Sequence, residues 1–435
     1  MKSPLKFLVV AALIALPCVG LSAAPDDTEQ RMIDWIDAHA EEAIALLAET
    51  VDISSGSNNH EGVREVGVVM RRELDELGLD TEWIDQSHVQ RAGHLFGYKH
   101  GASGRKFLLI GHLDTVFEAD DAFQGFRREG DTAYGPGVDD MKSGNVIIVY
   151  ALKALADAGA LDGIQVTVAY TGDEEKTGKP VSVSRKELIE AGHWADYALG
   201  FESAVTYDDT DWATIARRSS GSWSLEVGGR QAHSSGIFRE KTGAGAVFEA
   251  ARILNAFYEE LRGEEYLTFN VGTILGGTDV TYDSAQSRGT VFGKRNVVPR
   301  KVIVNGGMRT ISLEQLERTK AAMREIVARN LPRTDASISF TDSYPPMPPT
   351  EGNRKMYRVL SDVNEALGRG PMQILDPSRR GAADISFVSP YSDSIAGLGA
   401  LGSGGHTPSE TLDLTSMPLA IKRTALLIYR LSRTD

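Results

Sequence analysis

Short apolar runs, each ending in a glycine-flanked cluster of acidic residues or histidine, restrict the fold of this chain more than any other feature. Lys106 to Ile110 runs into Gly111-His112-Leu113-Asp114, Gln165 to Tyr170 into Thr171-Gly172-Asp173-Glu174-Glu175, and Tyr197 to Phe201 into Glu202. The helical stretches Ser143 to Ala158 and Val183 to Ala191 lie between them. Such alternation predicts strands of an α/β sheet covered by helices on both faces. Ligands of such sheets gather where strands end, so His112, Glu174-Glu175 and Glu202 are expected on one rim.

Helical spacing marks Asp26 to about Val51 and Val63 to Leu77, the second stopped by Gly78. From about Ala216 the texture changes. Strands are predicted at Trp223 to Val227, Leu267 to Leu275, Lys301 to Met308 and Ala336 to Thr341, with helices at Thr242 to Leu261 and Leu313 to Asn330. Past the proline-rich Tyr344 to Pro349, helices resume at Arg354 to Leu367 and Leu412 to Leu431. The expected class is α/β. A discontinuous domain with a mixed sheet flanked by helices (25–215 and 345–435) carries an inserted α+β unit (216–344) with a small antiparallel sheet and two helices.

Residues 1–24 read as a cleaved signal peptide: Lys2 and Lys6, the apolar run Phe7 to Val19, then small residues before Asp26-Asp27. The expected location is periplasmic or secreted, with no membrane contact after signal removal. The only cysteine, Cys18, lies in that segment, so the mature chain has no thiolate ligand and no disulfide. Any metal must be held by His, Asp and Glu. The formal net charge is −14, or −16 without Lys2 and Lys6, which argues against nucleic acid as a partner. Local clusters such as Arg217-Arg218 and Arg379-Arg380 can still oppose that field around an acidic substrate.

The motif residues suit a two-metal hydrolase. His112 and Asp114 leave a strand on the same side, and metal-bound imidazoles usually give their other N–H to a carboxylate, a role for Asp114. In GPGVDDMKSGN (Gly135 to Asn145) one of Asp139 and Asp140 is a natural bridge between two ions. Glu174 and Glu175 can divide labour, one binding metal and one taking a proton from the attacking water. Glu202 and His406, the latter in GGHTPSE (Gly404 to Glu410), offer terminal ligands of types zinc accepts. No G-x-S-x-G elbow and no H-E-x-x-H occurs, which disfavours a serine hydrolase and a single-zinc protease.

These motifs resemble the zinc exopeptidase and deacylase family of glutamate carboxypeptidase, acetylornithine deacetylase and succinyl-diaminopimelate desuccinylase, from about residue 30 to the C-terminus. The resemblance implies two Zn2+ per chain, with Co2+ or Mn2+ as substitutes. His112 and Glu202 would hold one ion, Glu175 and His406 the other, and Asp140 both. Glu174 would be the general base and Asp114 the carboxylate that orients His112. It implies a cis peptide at Asp140-Met141, and a lid and dimerisation role for the inserted unit, hence a homodimer. Within that unit, GGRQAHSSG nominates His233 to polarise the scissile carbonyl. Asn296, Arg309 and Gly381 match substrate-binding positions.

The implied activity is hydrolysis, through a metal-bridging hydroxide, of an amide next to a C-terminal amino acid, with glutamate one candidate. The substrate would be a small peptide or an N-acyl amino acid, which makes an N-acyl amino-acid deacylase the alternative. A catalytically silent binding protein would have lost a ligand or the base, and none is missing. Departures from the family pattern leave the released residue open. The stretch Gly276 to Lys294 is longer than its counterpart, and Asp342 to Thr350 has no arginine. The remaining histidines (His39, His60, His88, His94, His100, His193) lack a motif and read as structural.

Overall fold

The structure is a computed structural model that describes residues 24–434; the signal segment, apart from Ala24, lies outside the described residues. Among the described residues no helix is long and apolar enough to cross a membrane.

A six-stranded mixed sheet forms the centre, in the order Asp80–Asp85, Gly93–Lys99, Gln165–Thr171, Lys106–His112, Tyr197–Gly200, Asp393–Ile395. The last four are parallel, and the first two join by antiparallel pairing. Alternation divides the Lys106–His112 strand between two cores. Phe107 and Leu109 belong to the larger, built with helices Asp27–Ala38, Ala40–Val51, His60–Glu76, Ser143–Asp157, Glu351–Ala366 and Ser416–Ser432. Leu108 and Ile110 belong to the smaller, under Lys186–Trp194 and Ile385–Val388. Ser143–Asp157 is apolar nearly all round and accordingly buried.

The inserted unit is an antiparallel sheet of Ser220–Gly229, Lys301–Arg309 and Thr334–Tyr344, with Thr268–Phe269 and Thr273–Gly277 both pairing on Lys301–Arg309. Helices Ala246–Leu261 and Leu313–Ala328 close a separate core over Trp223, Leu225, Val227, Val302 and Val304. The chain enters and leaves this unit side by side. Arg217 and Met347 exchange both backbone hydrogen bonds at 2.9 Å, and Ser220 pairs with Tyr344.

Several elements differ from the sequence expectation. The first helix breaks at His39, whose ring Nδ1 lies 2.7 Å from the Trp35 carbonyl and which stacks on Trp35. The helix expected from Thr242 begins at Ala246, because Gly243 and Gly245 take φ of +71° and +77°. Gly276 to Lys294 contains a hairpin, Asp279–Asp283 with Arg288–Phe292. Leu401–Ser403, Thr411–Asp413, Thr132–Tyr134 and Arg127–Glu129 form a small sheet that brings the loop bearing His406 beside residues 135–142.

Candidate metal centre

Strand register delivers the acidic loops to one rim. His112 pairs with Thr171 and Ile110 with Gly200, so Asp114, Glu174-Glu175 and Glu202 all follow the carboxyl ends of neighbouring parallel strands. The Asp140-Met141 peptide is cis, as the family resemblance implied. His406 arrives from the small sheet with φ +63°, a left-handed conformation costing a non-glycine residue about 1–2 kcal/mol.

The carboxylate of Asp140 lies between two imidazoles. Its Oδ1 is 3.1 Å from His112 Nε2 and its Oδ2 is 3.1 Å from His406 Nε2. His406 Nε2 is also 3.2 Å from Glu175 Oε2. Ligand-type atoms of His112, Asp140 and Glu175 all fall within 4.8 Å of one another. On the far side of its ring, His112 Nδ1 meets the Asp114 backbone carbonyl at 2.9 Å, closer than the Asp114 carboxylate at 3.5 Å. That carboxylate instead accepts Ser57 Oγ at 2.6 Å and the N–H groups of Glu174 and Glu175 at 3.0 and 3.1 Å. Asp114 therefore fixes the backbone of the two glutamates as directly as it faces the histidine.

Electrostatics follow from this crowding. Burial opposes charging His112, but Asp114 and Asp140 outweigh it and hold its pKa well above the usual value. Asp140 and Glu175 push His406 up to about 10. Burial, with the charge of Asp140 adding and His406 opposing, raises Glu175 to about 7. Burial also pushes Glu174 well above the carboxylate range, aided by Glu202, Asp384 and Glu175.

Glu202 shares one pocket with His112, Glu174, Arg217 and Asp384, and its Oε2 accepts Arg217 Nη2 at 2.9 Å. Gly381 sits beside it, its carbonyl accepting Arg217 Nη1 at 3.1 Å. The structure does not bring the other expected residues to this cluster. His233 is exposed, with its ring Nδ1 facing only the Ser235 hydroxyl and N–H. Asn296 is its neighbour in the inserted unit, its carbonyl accepting the Ser234 N–H at 2.9 Å. Arg309 is exposed at the end of the Lys301–Arg309 strand, donating to the Ser219 carbonyl at 3.4 Å.

Four residues with supporting contacts had no role assigned from sequence. Glu410 accepts three N–H groups of the ligand loop, from Gly137, Asp139 and Asp140, at 3.1, 2.8 and 3.0 Å. Its place four residues after His406 in the same motif was the available signal. Arg185, wholly buried, bonds Asp173 at 2.5 Å and Asp384 at 2.7 Å. Tyr344 donates to the Glu174 carbonyl at 2.9 Å. Lys142, buried, reaches the Ile53 carbonyl at 2.9 Å. Lys142 stands in the GPGVDDMKSGN motif, whereas neither Arg185 nor Tyr344 lies in a metal-ligand motif.

The donor set suits divalent metals. Two imidazoles and two carboxylates converge, those of His112, His406, Asp140 and Glu175, and Glu175 Oε1 is buried without a hydrogen-bond partner, a position whose charge a cation would favour.

Comparison with known proteins agrees. Residues 108–430 match the profile of Peptidase family M20/M25/M40. Carboxypeptidase G2 of a Pseudomonas strain is 26% identical over 442 residues, covering 99% of each chain. A succinyl-diaminopimelate desuccinylase of Dinoroseobacter shibae is 26% identical over 86% of this chain and 95% of its own. Among solved structures, aminopeptidase PepT of Bacillus cereus superposes with a TM-score of 0.71 at 18% identity, covering 91% of this chain and 99% of its own. The YXEP protein of Bacillus subtilis, described as a dinuclear metal binding peptidase, gives 0.61 at 14% identity, covering 92% and 100%. These two likenesses speak to the fold.

Proposed function

The chain belongs to Peptidase family M20/M25/M40, a family of hydrolases, and from that premise we propose that it is a dizinc exopeptidase of carboxypeptidase type. It would release a C-terminal amino acid, glutamate among the candidates, from a small peptide or N-acyl conjugate. The single observation that carries this is the Asp140 carboxylate set between His112 and His406 at 3.1 Å each, with Glu175 alongside. The full-length likeness to carboxypeptidase G2 favours the carboxypeptidase form. The desuccinylase relatives favour N-acyl amino-acid hydrolysis as the alternative.

His112 and Glu202 would hold one zinc, Glu175 and His406 the other, and Asp140 both. Bound there, the ions would supply Lewis acidity at the scissile carbonyl and make an attacking water easier to deprotonate. Glu174, whose burial favours carrying a proton, would take that proton on its carboxylate and hand it to the leaving amine nitrogen. Asp114 would hold the Glu174 and Glu175 backbone in place. Gly381, Asn296 and Arg309 would bind substrate. His233 would donate to the developing oxyanion, from a position of the inserted unit that brings its ring to the rim.

In the same proposal the chain is exported by residues 1–24 and dimerises through the inserted unit. That unit exposes Phe248, Tyr258, Ile274 and Phe292, each more than half accessible, more than isolated surface apolars require.

The test is amino-acid release by zinc-loaded protein from dipeptides, folate-type glutamate conjugates and N-acyl amino acids, each with and without chelator. Chelator-sensitive release of a C-terminal residue is expected. Release of acyl groups alone selects the deacylase. No turnover of any substrate with both metals bound refutes the enzyme.

A further inference from the structure

We propose that Tyr344 is a positioning residue for the general base, tying the Glu174 segment to the chain crossing into the inserted unit. This rests on the assignment of Glu174 as the base. Tyr344 ends the Thr334–Tyr344 strand, and its ring packs on Phe387 with centroids 5.0 Å apart. Its hydroxyl points at the loop after the Gln165–Thr171 strand and donates to the Glu174 carbonyl at 2.9 Å.

A phenol has one proton to give. Arg185 Nη2, which can only donate, takes one lone pair of the hydroxyl at 3.3 Å, and Thr177 Oγ1 lies 3.0 Å from the hydroxyl and 3.5 Å from the Glu174 carbonyl, joining the two. Arg185 cannot swing away, because it is wholly buried and bonded to Asp173 and Asp384. The Tyr344 proton is thereby turned away from Arg185, toward the Glu174 carbonyl at 2.9 Å and the Thr177 hydroxyl that reaches the same carbonyl.

Glu174 is held from both ends of its own backbone. Its N–H donates to Asp114 Oδ1 at 3.0 Å, and its C=O accepts from Tyr344. With both groups pinned, the side chain leaves from a fixed root and only its own torsions remain free. The two anchors differ in origin: Asp114 belongs to the sheet rim, whereas Tyr344 belongs to the crossing. The companion crossing strand is fixed in turn, since Arg217 pairs with Met347 through the backbone and with Glu202 through its guanidinium. Rotation of the inserted unit about this ribbon therefore acts on the Tyr344 hydroxyl, and through it on the placement of the base.

The test is Tyr344→Phe in the full zinc-loaded chain, assayed on whichever panel substrate is turned over fastest. We expect kcat to fall about tenfold, since small misplacements of a catalytic group are costly in rate, with KM within about twofold and zinc content unchanged. Amide exchange should quicken in the peptide covering 172–179 and not across the inserted unit. Unchanged kcat overturns the proposal. So does a joint change of kcat, KM and exchange throughout the inserted unit, which is the mark of a merely structural residue.

Should Tyr344→Phe fail to fold, Thr177→Val removes the hydroxyl that joins Tyr344 to the Glu174 carbonyl and keeps the ring. It should lower kcat about two- to threefold with the same local exchange, and an unchanged kcat again overturns the proposal. Glu174→Gln is run in parallel. Inactive Glu174→Gln beside wild-type Tyr344→Phe refutes the positioning role alone, whereas active Glu174→Gln refutes the base assignment and the proposal with it.

Discussion

If the proposed zinc site is right, metal ions and protons compete for the same atoms at the rim, on terms that the neighbouring charges set. Without metal, His112 and His406 face carboxylates that hold their protons, His406 to about 10 and His112 well above its usual value. Glu175 titrates at about 7. At pH 7 His406 therefore carries its proton and Glu175 about half of one, and Asp114 and Asp140 favour a proton on His112 as well, all on atoms that a bound metal ion would need bare. Because these pKa values are raised, the metal-free form binds more protons than the metal-bound form throughout the neutral range. Apparent affinity for the pair of ions must then rise with pH, by about a hundredfold per unit for two displaced protons. The slope should be steepest below pH 7, where Glu175 adds its share, and should flatten as pH approaches 10. Calorimetric titration of chelated protein with zinc, in buffers of different ionisation heat, counts the protons released. Fewer than one at pH 7, or an affinity flat between pH 6 and 8, would refute the facing of both histidines to metal.

Three further outcomes are expected. Glu174→Gln should cut kcat by about 10²–10⁴-fold while zinc stays near two per chain by elemental analysis. Because the raised Glu174 pKa means stability lost as pH climbs above the ordinary carboxylate range, the metal-free variant should melt no lower than the parent at pH 7–8; a lower melting temperature contradicts the burial argument. Arg185→Met strands the Asp173 and Asp384 carboxylates in the interior and should cost about 3–5 kcal/mol by denaturant titration, with a loss under about 1 kcal/mol showing that the network is not holding the loop. Phe248→Asp with Ile274→Asp should convert a dimer to monomers by light scattering, and a parent chain already monomeric would dispose of the proposed lid interface.

Much of the sheet and of the rim was legible because local pattern and tertiary role coincide. His112, Asp140, Glu175 and His406 each sit in a short glycine-rich segment, and for the first and third a continuous apolar strand announces it. Asp80–Asp85 was missed because its exposed, acidic alternation gives no such run. The break at His39 depends on a ring stacking back on Trp35, which helical periodicity does not register. Arg185 and Tyr344 act across tertiary contacts far from the motifs they serve, so nothing adjacent in sequence points to those roles, and the Arg217-Arg218 pair, expected to face an acidic substrate, turns Arg217 to Glu202 instead. The Asp114 carboxylate was expected on the histidine, yet two backbone N–H groups from the next loop compete for it.

The small sheet that returns the His406 loop to the rim has a consequence for the order of events during synthesis. Asp140 and His406 are 266 residues apart, and Glu410 secures the Asp140 loop from 270 residues downstream. A nascent chain that has emerged only as far as the inserted unit can pair three of the four parallel strands, yet it has neither the fifth of the candidate ligand-bearing loops nor the carboxylate that shapes the second. The candidate metal centre is thus complete only once residues 401–413 have been made. A chain stalled or clipped before Leu401 would carry all six strands of the central sheet but lack His406 and Glu410, so the proposed activity would await the last 35 residues.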